Sequence, residues 1–210
     1  MLYLLLSVVL AYLIGSINFA VIFSKLFTKK DVRDFGSGNA GATNVLRTAG
    51  ILPGILTFLF DALKGFAACF AGKTIVANFA ASNSLKLSIY CAFACGLACM
   101  LGHVFPIFFR FKGGKGVATA VGIFAVCCPI AIIVGLAVFI LLAIFTRIVS
   151  ISSLCATVTV VTFAAIFYNR DASIIPQIAL STAMGALVFI KHIDNIKRLL
   201  KGEEKKLGRK

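Results

Sequence analysis

The sequence predicts an all-α polytopic membrane protein with seven membrane helices, two of them short, an outside N-terminus and a cytoplasmic C-terminus. Composition is the first observation behind this prediction: 60% of the 210 residues are apolar, 13% are charged, and the mean hydropathy is +1.04. Soluble domains average about half apolar and about a quarter charged. The other two observations are a series of long apolar runs and the placement of lysine and arginine between them.

Five apolar runs have roughly the 20 residues that one helix needs to cross a bilayer: 2–23, 53–74, 85–108, 151–168 and 174–190. The first run has no cationic start and no convincing signal-peptide cleavage site, so we predict a retained helix. A sixth run, from Val117 to Phe145, is too long for one ordinary span. Pro129 removes a backbone donor and disfavours helix before it, which predicts two short helices of about 12 and 16 residues, tilted and enclosed by the others.

Seventeen of the 21 lysines and arginines fall in four places. These are Lys25, Lys29, Lys30, Arg33 and Arg47; Arg110, Lys112 and Lys115; Arg147; and eight residues between Lys191 and Lys210. Two crossings by residues 117–145 put all four on the cytoplasmic side, as the positive-inside tendency favours, whereas one crossing divides them. We therefore attribute the net charge of +14 to membrane topology and to the binding of anionic ligands or lipid headgroups. No nucleic-acid partner is expected.

All seven cysteines lie within apolar stretches, without a C-x-x-C pair or a neighbouring histidine. We predict small packing residues and neither a disulfide nor a zinc site. Cys91, Cys95 and Cys99 recur every four residues, which favours a small-residue stripe against another helix. No internal repeat or flexible linker is evident, so we predict one domain over residues 1–210.

Two glycine-rich blocks with cations separate apolar runs. Lys112–Gly116 reads KGGKG, and Ser37–Asn44 reads SGNAGATN with Arg47 just beyond it. Glycine lets the backbone approach a ligand and offers N–H groups, while lysine supplies a compact charge suited to phosphate. The blocks predict that two loops converge on a phosphate compound at the membrane surface.

Three further polar sets remain open between a structural and a functional interpretation. Asp61 and Lys64 form either a neutralised pair near the interface or part of the cytoplasmic site. His103 is a hydrogen-bonded structural residue or a catalyst. The set His192, Asn195 and Arg198 shares a helical face and is either a solvated charged face or a third wall of the site.

Several known catalytic motifs are absent from the sequence. Gly116 follows Lys115 where a Walker A loop has serine or threonine, and neither a G-x-S-x-G nor an H-E-x-x-H motif occurs. The His-x4-Asp arrangement of another acyltransferase group is also missing, because Phe108 and Lys197 stand five residues after the two histidines. A nucleotide-binding loop, a serine hydrolase and a zinc hydrolase are thus excluded.

Together these motifs resemble those of the bacterial acyl-phosphate-dependent glycerol-3-phosphate acyltransferases. The resemblance is carried, in order, by Gly36–Arg47 (GSGNAGATNVLR), Asp61–Gly65 (DALKG), Gly102–Pro106 (GHVFP) and Phe111–Thr119 (FKGGKGVAT), and it extends to Arg147 with Ser150 and to the His192 set. One departure is Asn18, where the family usually has proline after Gly15-Ser16-Ile17, and it puts the bend of the first helix in doubt.

The resemblance implies a single integral-membrane acyltransferase domain in the bacterial inner membrane, with its active site on the cytoplasmic side. It implies transfer of an acyl group from acyl phosphate to the 1-hydroxyl of glycerol 3-phosphate beside membrane lipid. Coenzyme A and acyl carrier protein are not implied as donors, and no cofactor or metal is expected. Catalytic candidates are Lys112, Lys115, His192 and Asn195. Substrate-binding candidates are Ser37, Gly38, Asn39, Gly41, Asn44, Arg47, Lys64, His103, Gly113, Gly114, Ser150 and Arg198.

Two other functions fit parts of the sequence. A transporter or channel for a phosphorylated metabolite also uses cationic loops and broken helices, but a carrier often binds its ligand near mid-membrane, whereas these cations gather on one surface. A structural lipid-binding scaffold gives no reason for two glycine-rich blocks. No serine or cysteine is paired with a base, so we predict direct attack by the glycerol hydroxyl without an acyl-enzyme.

Overall fold

The computed structural model describes residues 2–79, 85–167 and 174–208, and all regular structure in these ranges is helical. The α-helices are α1 Leu2–Gly15, α2 Phe19–Thr28, α3 Ala42–Ala49, α4 Ile51–Phe79, α5 Leu85–Val104, α6 Val117–Cys127, α7 Pro129–Thr146, α8 Val149–Phe167, α9 Ile174–Lys191 and α10 Ile193–Leu200. Short 3₁₀ turns lie at Val32–Asp34 and Ile107–Phe109.

Within the described ranges, five stretches are long and apolar enough to span a membrane. They are Leu2–Thr28, Ile51–Ile75, Leu87–Phe109, Pro129–Thr146 and Val149–Phe167, with shorter apolar helices at Val117–Cys127 and Ile175–Lys191. The predicted break in the long run is confirmed: α6 ends at Cys127 and Pro129 occupies the first turn of α7. Proline is tolerated there because the first-turn N–H has no helical partner to lose.

The first apolar run differs from the single helix that we predicted. It forms two helices, because the chain leaves helical geometry after Gly15 and α2 begins at Phe19. Asn18 is extended, and its side-chain oxygen accepts a hydrogen bond from the Val21 N–H, as an N-cap does. The Ile17 carbonyl at this break accepts a hydrogen bond from Lys64 Nζ at 2.7 Å. The first run is therefore broken next to Asn18 without a proline at this position.

The chain divides into two compact units, Met1–Cys127 and Cys128–Lys210. In the first, α4 is central and packs on α1, α2, α3, α5 and α6. Glycine allows the closest helix contacts: a Cβ on Gly15 would overlap the Cys99 carbonyl, and one on Gly122 would overlap the Ala62 carbonyl. The cysteine stripe is confirmed, since Cys91 and Cys95 pack against Gly72 of α4.

In the second unit, α8 packs on α7 and α9, and α10 packs on both α8 and α9. The C-terminal tail after α10 turns back toward the loop between α7 and α8. Its Leu207 N–H donates to the Arg147 carbonyl at 2.7 Å. Our prediction of one domain over residues 1–210 stays a prediction.

Candidate active site

The two glycine-rich loops meet in the first unit, as their chemistry predicted. The Gly114 N–H donates to the His103 carbonyl at 3.1 Å, which folds the KGGKG turn against the end of α5. On its other side Gly114 faces the first loop: a Cβ built on it would lie 2.7 Å from the Ala40 carbonyl oxygen and overlap His103 Nε2. Only glycine fits this contact without displacing backbone, so its absent side chain permits the two loops to approach.

The backbone N–H groups of these loops are largely engaged within the protein. The Ser37 N–H donates to Asn44 Oδ1 at 2.9 Å, and Gly38, Gly41 and Gly114 each donate to a main-chain carbonyl. These three glycine N–H groups already have main-chain acceptors, and substrate contacts by Gly38, Gly41 and Gly114 stay predictions. The same segments also carry cationic side chains: Arg47 and Lys112 are exposed, and Lys115 is half-buried.

Asn44 determines the shape of the first loop. Its Nδ2 donates to the carbonyls of Val32, Phe35 and Asn39 at 3.0, 2.9 and 3.1 Å. Its Oδ1 accepts the Ser37 N–H, and the residue is 2% exposed. Both ends of the carboxamide are therefore bonded to the loop backbone. This arrangement presents Ser37 and Gly38 at the surface, whereas a substrate contact by Asn44 itself stays a prediction.

Replacing Asn44 with alanine should lower kcat/KM at least about tenfold and reduce thermal stability, because three loop carbonyls lose their donor and each unmet buried group costs about 1–3 kcal/mol. Steady-state kinetics and thermal unfolding in detergent measure the two effects. Thr48→Ala is the matched control, since it removes one hydrogen bond, to the Asn44 carbonyl, on the same helix. Wild-type kcat/KM in Asn44→Ala would contradict the prediction.

Asp61, Lys64 and His103 form a buried polar group behind the second loop. Lys64 Nζ lies 2.8 Å from Asp61 Oδ1, and His103 Nδ1 lies 3.5 Å from the same oxygen. Lys64 also donates to Ile17, and its side chain is 3% exposed. The neutralised pair that the spacing indicated is thus present, and its lysine also satisfies the carbonyl at the α1–α2 break. Substrate contacts by Lys64 and His103 stay predictions.

The second unit brings together Ser150, Asn195 and Arg198 around a residue that the sequence analysis missed. Glu204 accepts hydrogen bonds from Ser150 Oγ at 3.0 Å, Asn195 Nδ2 at 2.6 Å and Arg198 Nε at 2.7 Å. Its side chain is 5% exposed. Burial by itself raises the pKa of Glu204, but the hydrogen bonds from Asn195, Arg198 and Ser150 outweigh it and leave the pKa below the ordinary glutamate value.

Glu204 had only a weak signal in the sequence, because it lies in a lysine-rich tail that is typical of a solvated segment. Gly202, just before it, has a φ of +70°. A glycine shortly after a helix is a signal that the chain turns back. That turn was the one available indication that Glu204 returns to α10.

His192 precedes α10 and is 3% exposed. Its Nδ1 lies 2.8 Å from the Val188 carbonyl oxygen. Because a carbonyl only accepts, Nδ1 carries the proton, and the lone pair of the neutral ring is on Nε2. The Val188 carbonyl in α9 therefore orients the His192 ring, and Nε2 is the nitrogen able to accept a proton.

The family model for glycerol-3-phosphate acyltransferase matches residues 5–202. The chain belongs to this family. A glycerol-3-phosphate acyltransferase 2 of Bacillus anthracis is 42% identical over 97% of this chain and 98% of the relative. A glycerol-3-phosphate acyltransferase of Thermoanaerobacter sp. (strain X514) is 40% identical over 99% of this chain and 98% of the relative. The family that the motifs predicted is confirmed.

Solved structures of the family share the fold. The crystal structure of PlsY (YgiH), an integral membrane glycerol 3-phosphate acyltransferase, in its glycerol 3-phosphate form has a TM-score of 0.85 and 37% identity. It covers 98% of this chain and 96% of PlsY. The lysophosphatidic acid form has a TM-score of 0.82 and 36% identity, and the match covers 98% of this chain and 95% of PlsY. With its apolar helices, the chain is an all-α integral membrane member of the family.

Proposed function

We propose that this protein transfers a fatty acyl group from acyl phosphate to the 1-hydroxyl of glycerol 3-phosphate, giving lysophosphatidic acid and phosphate. The observation that carries the proposal is the contact of two cation-bearing glycine loops at Gly114 and Ala40. Both substrates are phosphorylated, which accounts for two separate blocks with cationic side chains. The acyl chain accounts for a site in a membrane protein. The names of the relatives include glycerol 3-phosphate, which supports this compound as the acyl acceptor.

The proposed topology follows the distribution of cations. Seven membrane helices place the N-terminus outside and the C-terminus in the cytoplasm of a bacterial cell, with the loops on the cytoplasmic side of the inner membrane. The five long and two short apolar helices of the described ranges support that number. A cytoplasmic site has direct access to soluble glycerol 3-phosphate, and the lipid-like donor and product stay in the membrane.

The reaction proceeds by direct attack. The 1-hydroxyl oxygen of glycerol 3-phosphate bonds to the acyl carbonyl carbon, the carbon–oxygen bond to phosphate breaks, and phosphate leaves with the electron pair. Lys112, Lys115 and Arg47 neutralise phosphate charge. Because acyl phosphate already has a good leaving group, positioning supplies most of the acceleration, and effective molarity contributes up to about 7–11 kcal/mol. Ser150, Asn195 and Arg198 are proposed as further substrate contacts.

The donor assignment is tested with purified protein in detergent or lipid, by measuring phosphate released from palmitoyl phosphate in the presence of glycerol 3-phosphate. Palmitoyl coenzyme A and palmitoyl acyl carrier protein are the control donors. We expect lysophosphatidic acid and phosphate in equal amounts from acyl phosphate alone. Product formed only from a thioester would overturn the donor, and trapping of a covalent acyl-protein during turnover would overturn direct attack.

A phosphate oxygen of the donor is the proposed proton acceptor, with His192 Nε2 as the alternative. His192→Gln should therefore lower kcat by less than about tenfold, because a general base contributes about 10²–10⁴-fold. Steady-state kinetics across pH 5–9 measure the effect. A larger loss of kcat that removes a wild-type pH dependence would make His192 the base, whereas full activity would remove it from consideration.

A further inference from the structure

The side chain of Arg33 connects the segments that lead into the two glycine-rich loops. Its backbone belongs to the 3₁₀ turn that leads into the first loop, and its carbonyl lies 3.4 Å from the position of a Cβ on Gly38. Its guanidinium reaches the 3₁₀ turn Ile107–Phe109, just before the second loop: Nη1 donates to the Phe109 carbonyl at 3.1 Å across 76 residues of sequence. The guanidinium also lies 5.8 Å from the centre of the Phe109 ring, within the range of a cation–π contact.

Asp31 fixes the direction of this side chain. Arg33 Nε donates to Asp31 Oδ1 at 3.0 Å, and Nη2 donates to Oδ2 at 2.8 Å, so the two side chains form a bidentate ion pair. The hydrogen bond from Arg33 lowers the pKa of Asp31 to about 2, so the pair stays charged at neutral pH. With two donors held by Asp31, the remaining Nη1 is directed at Phe109.

The Phe109 carbonyl is the point at which the second loop begins its turn. It also accepts the Lys112 N–H at 3.2 Å, the bond that closes the chain just before KGGKG. Arg33 thus binds the same oxygen that anchors the turn carrying Lys112. An exposed ion pair alone would contribute little. The third contact, to the main chain just before the second loop, distinguishes Arg33 from such a pair, and its side chain is 24% exposed.

We propose that Arg33 is a positioning residue that sets the separation of the two phosphate-binding loops, and that Asp31 acts through it. The inference rests on the proposed function, because it assigns the loops to phosphorylated substrates. Cations on two loops can neutralise the phosphate charge of one pair of substrates only if the distance between the loops is held. A displacement of about 1 Å can cost about 10²-fold in rate. Arg33 supplies that constraint without touching substrate.

The kinetic test compares Arg33→Ala, Arg33→Lys and Asp31→Asn with wild type. We expect Arg33→Ala to lower kcat/KM about tenfold, mainly through a higher KM for one or both phosphorylated substrates. Arg33→Lys should be impaired as well, because one ammonium cannot hold both Asp31 oxygens and Phe109. Asp31→Asn should add no further loss in the Arg33→Ala background, since Asp31 acts through Arg33.

Lys25→Gln is the matched control. Lys25 lies 3.5 Å from Asp31 and is 58% exposed, so the change removes a cation beside the pair without touching Phe109. Its kinetic constants should stay within twofold of wild type. Wild-type kinetic constants in Arg33→Ala would overturn the positioning role. A loss of Vmax with both KM values unchanged would also overturn it and would assign Arg33 to folding.

Hydrogen–deuterium exchange gives a readout that does not depend on activity. Arg33→Ala should raise exchange in peptides covering residues 110–116, whereas a local role of Arg33 would change only residues 31–38. If Arg33→Ala does not purify as folded protein, Arg33→Lys and Asp31→Asn decide by the same criteria. Wild-type protein that is inactive on palmitoyl phosphate would defeat the proposed function, while the exchange result would still decide whether Arg33 holds the second loop.

Discussion

Gly114→Ala should lower kcat/KM at least about 100-fold, the largest loss of activity that we expect among the variants proposed for this protein. The added Cβ would lie 2.7 Å from the Ala40 carbonyl oxygen and overlap the imidazole of His103. The first neighbour is main chain, and the second is a buried ring beside Asp61. Neither moves freely, so the two loops must separate and carry their cations apart. Steady-state kinetics with palmitoyl phosphate and glycerol 3-phosphate measure the loss.

Gly208→Ala is the control for glycine replacement. Gly208 has a φ of +78°, but a Cβ there meets nothing within 4 Å. It therefore carries the conformational strain of alanine at a positive φ, about 1 kcal/mol, without a steric clash. Its activity should stay within twofold of wild type. If Gly114→Ala behaves like Gly208→Ala, the loops do not depend on close contact at this position.

Glu204→Gln should produce the second-largest effect, a loss of about 2–3 kcal/mol of unfolding free energy together with most of the activity. The carboxylate accepts three hydrogen bonds, and an amide in its place presents one donor to groups that themselves donate. Asn195 and Arg198 would lose the partner that orients them. Thermal unfolding and kinetics measure the two losses. Glu203→Gln, a change at the exposed neighbouring residue, should match wild type.

The same network predicts a pH dependence of stability. The pKa of Glu204 is lower in the folded protein than its ordinary value of 4.5, so folding favours the charged carboxylate. Its contribution is complete above pH 4.5 and is lost as the pH falls through the lowered value. The difference in unfolding temperature between wild type and Glu204→Gln should therefore be constant near neutral pH and shrink in acid. A difference that grows on acidification would contradict this account.

Much of the membrane architecture could be read from local patterns. Apolar length predicted the spans, and Pro129 predicted the break between α6 and α7 because a missing donor acts on its immediate neighbours. The first run was harder to predict. Asn18 caps the helix that follows the break, and a lone asparagine in an apolar run does not reveal that its side chain will bond to Val21.

The candidate site was predictable to a smaller extent. Motif composition identified the two loops that meet at Gly114 and Ala40, but not what each side chain does there. Asn44 was expected to contact substrate, and its hydrogen bonds are used to shape the loop. Lys64 is paired with Asp61 and bonded to Ile17. Spacing indicated the Asp61–Lys64 pair, but it identified neither the Ile17 carbonyl nor the loop carbonyls that Asn44 binds, because those contacts depend on how the chain folds back.

The sequence by itself determined that the chain is a helical membrane protein of this family, that the long run breaks at Pro129, and which loops carry cations. Those properties depend on residue type and on neighbours within a few positions. Tertiary structure alone decided that Arg33 reaches Phe109 across 76 residues and that Glu204 reaches Ser150 across 54. In a chain with 60% apolar residues, the lipid-facing and core-facing sides of a helix are alike in polarity. Hydropathy therefore does not show which faces pack, and the long-range contacts follow from that packing.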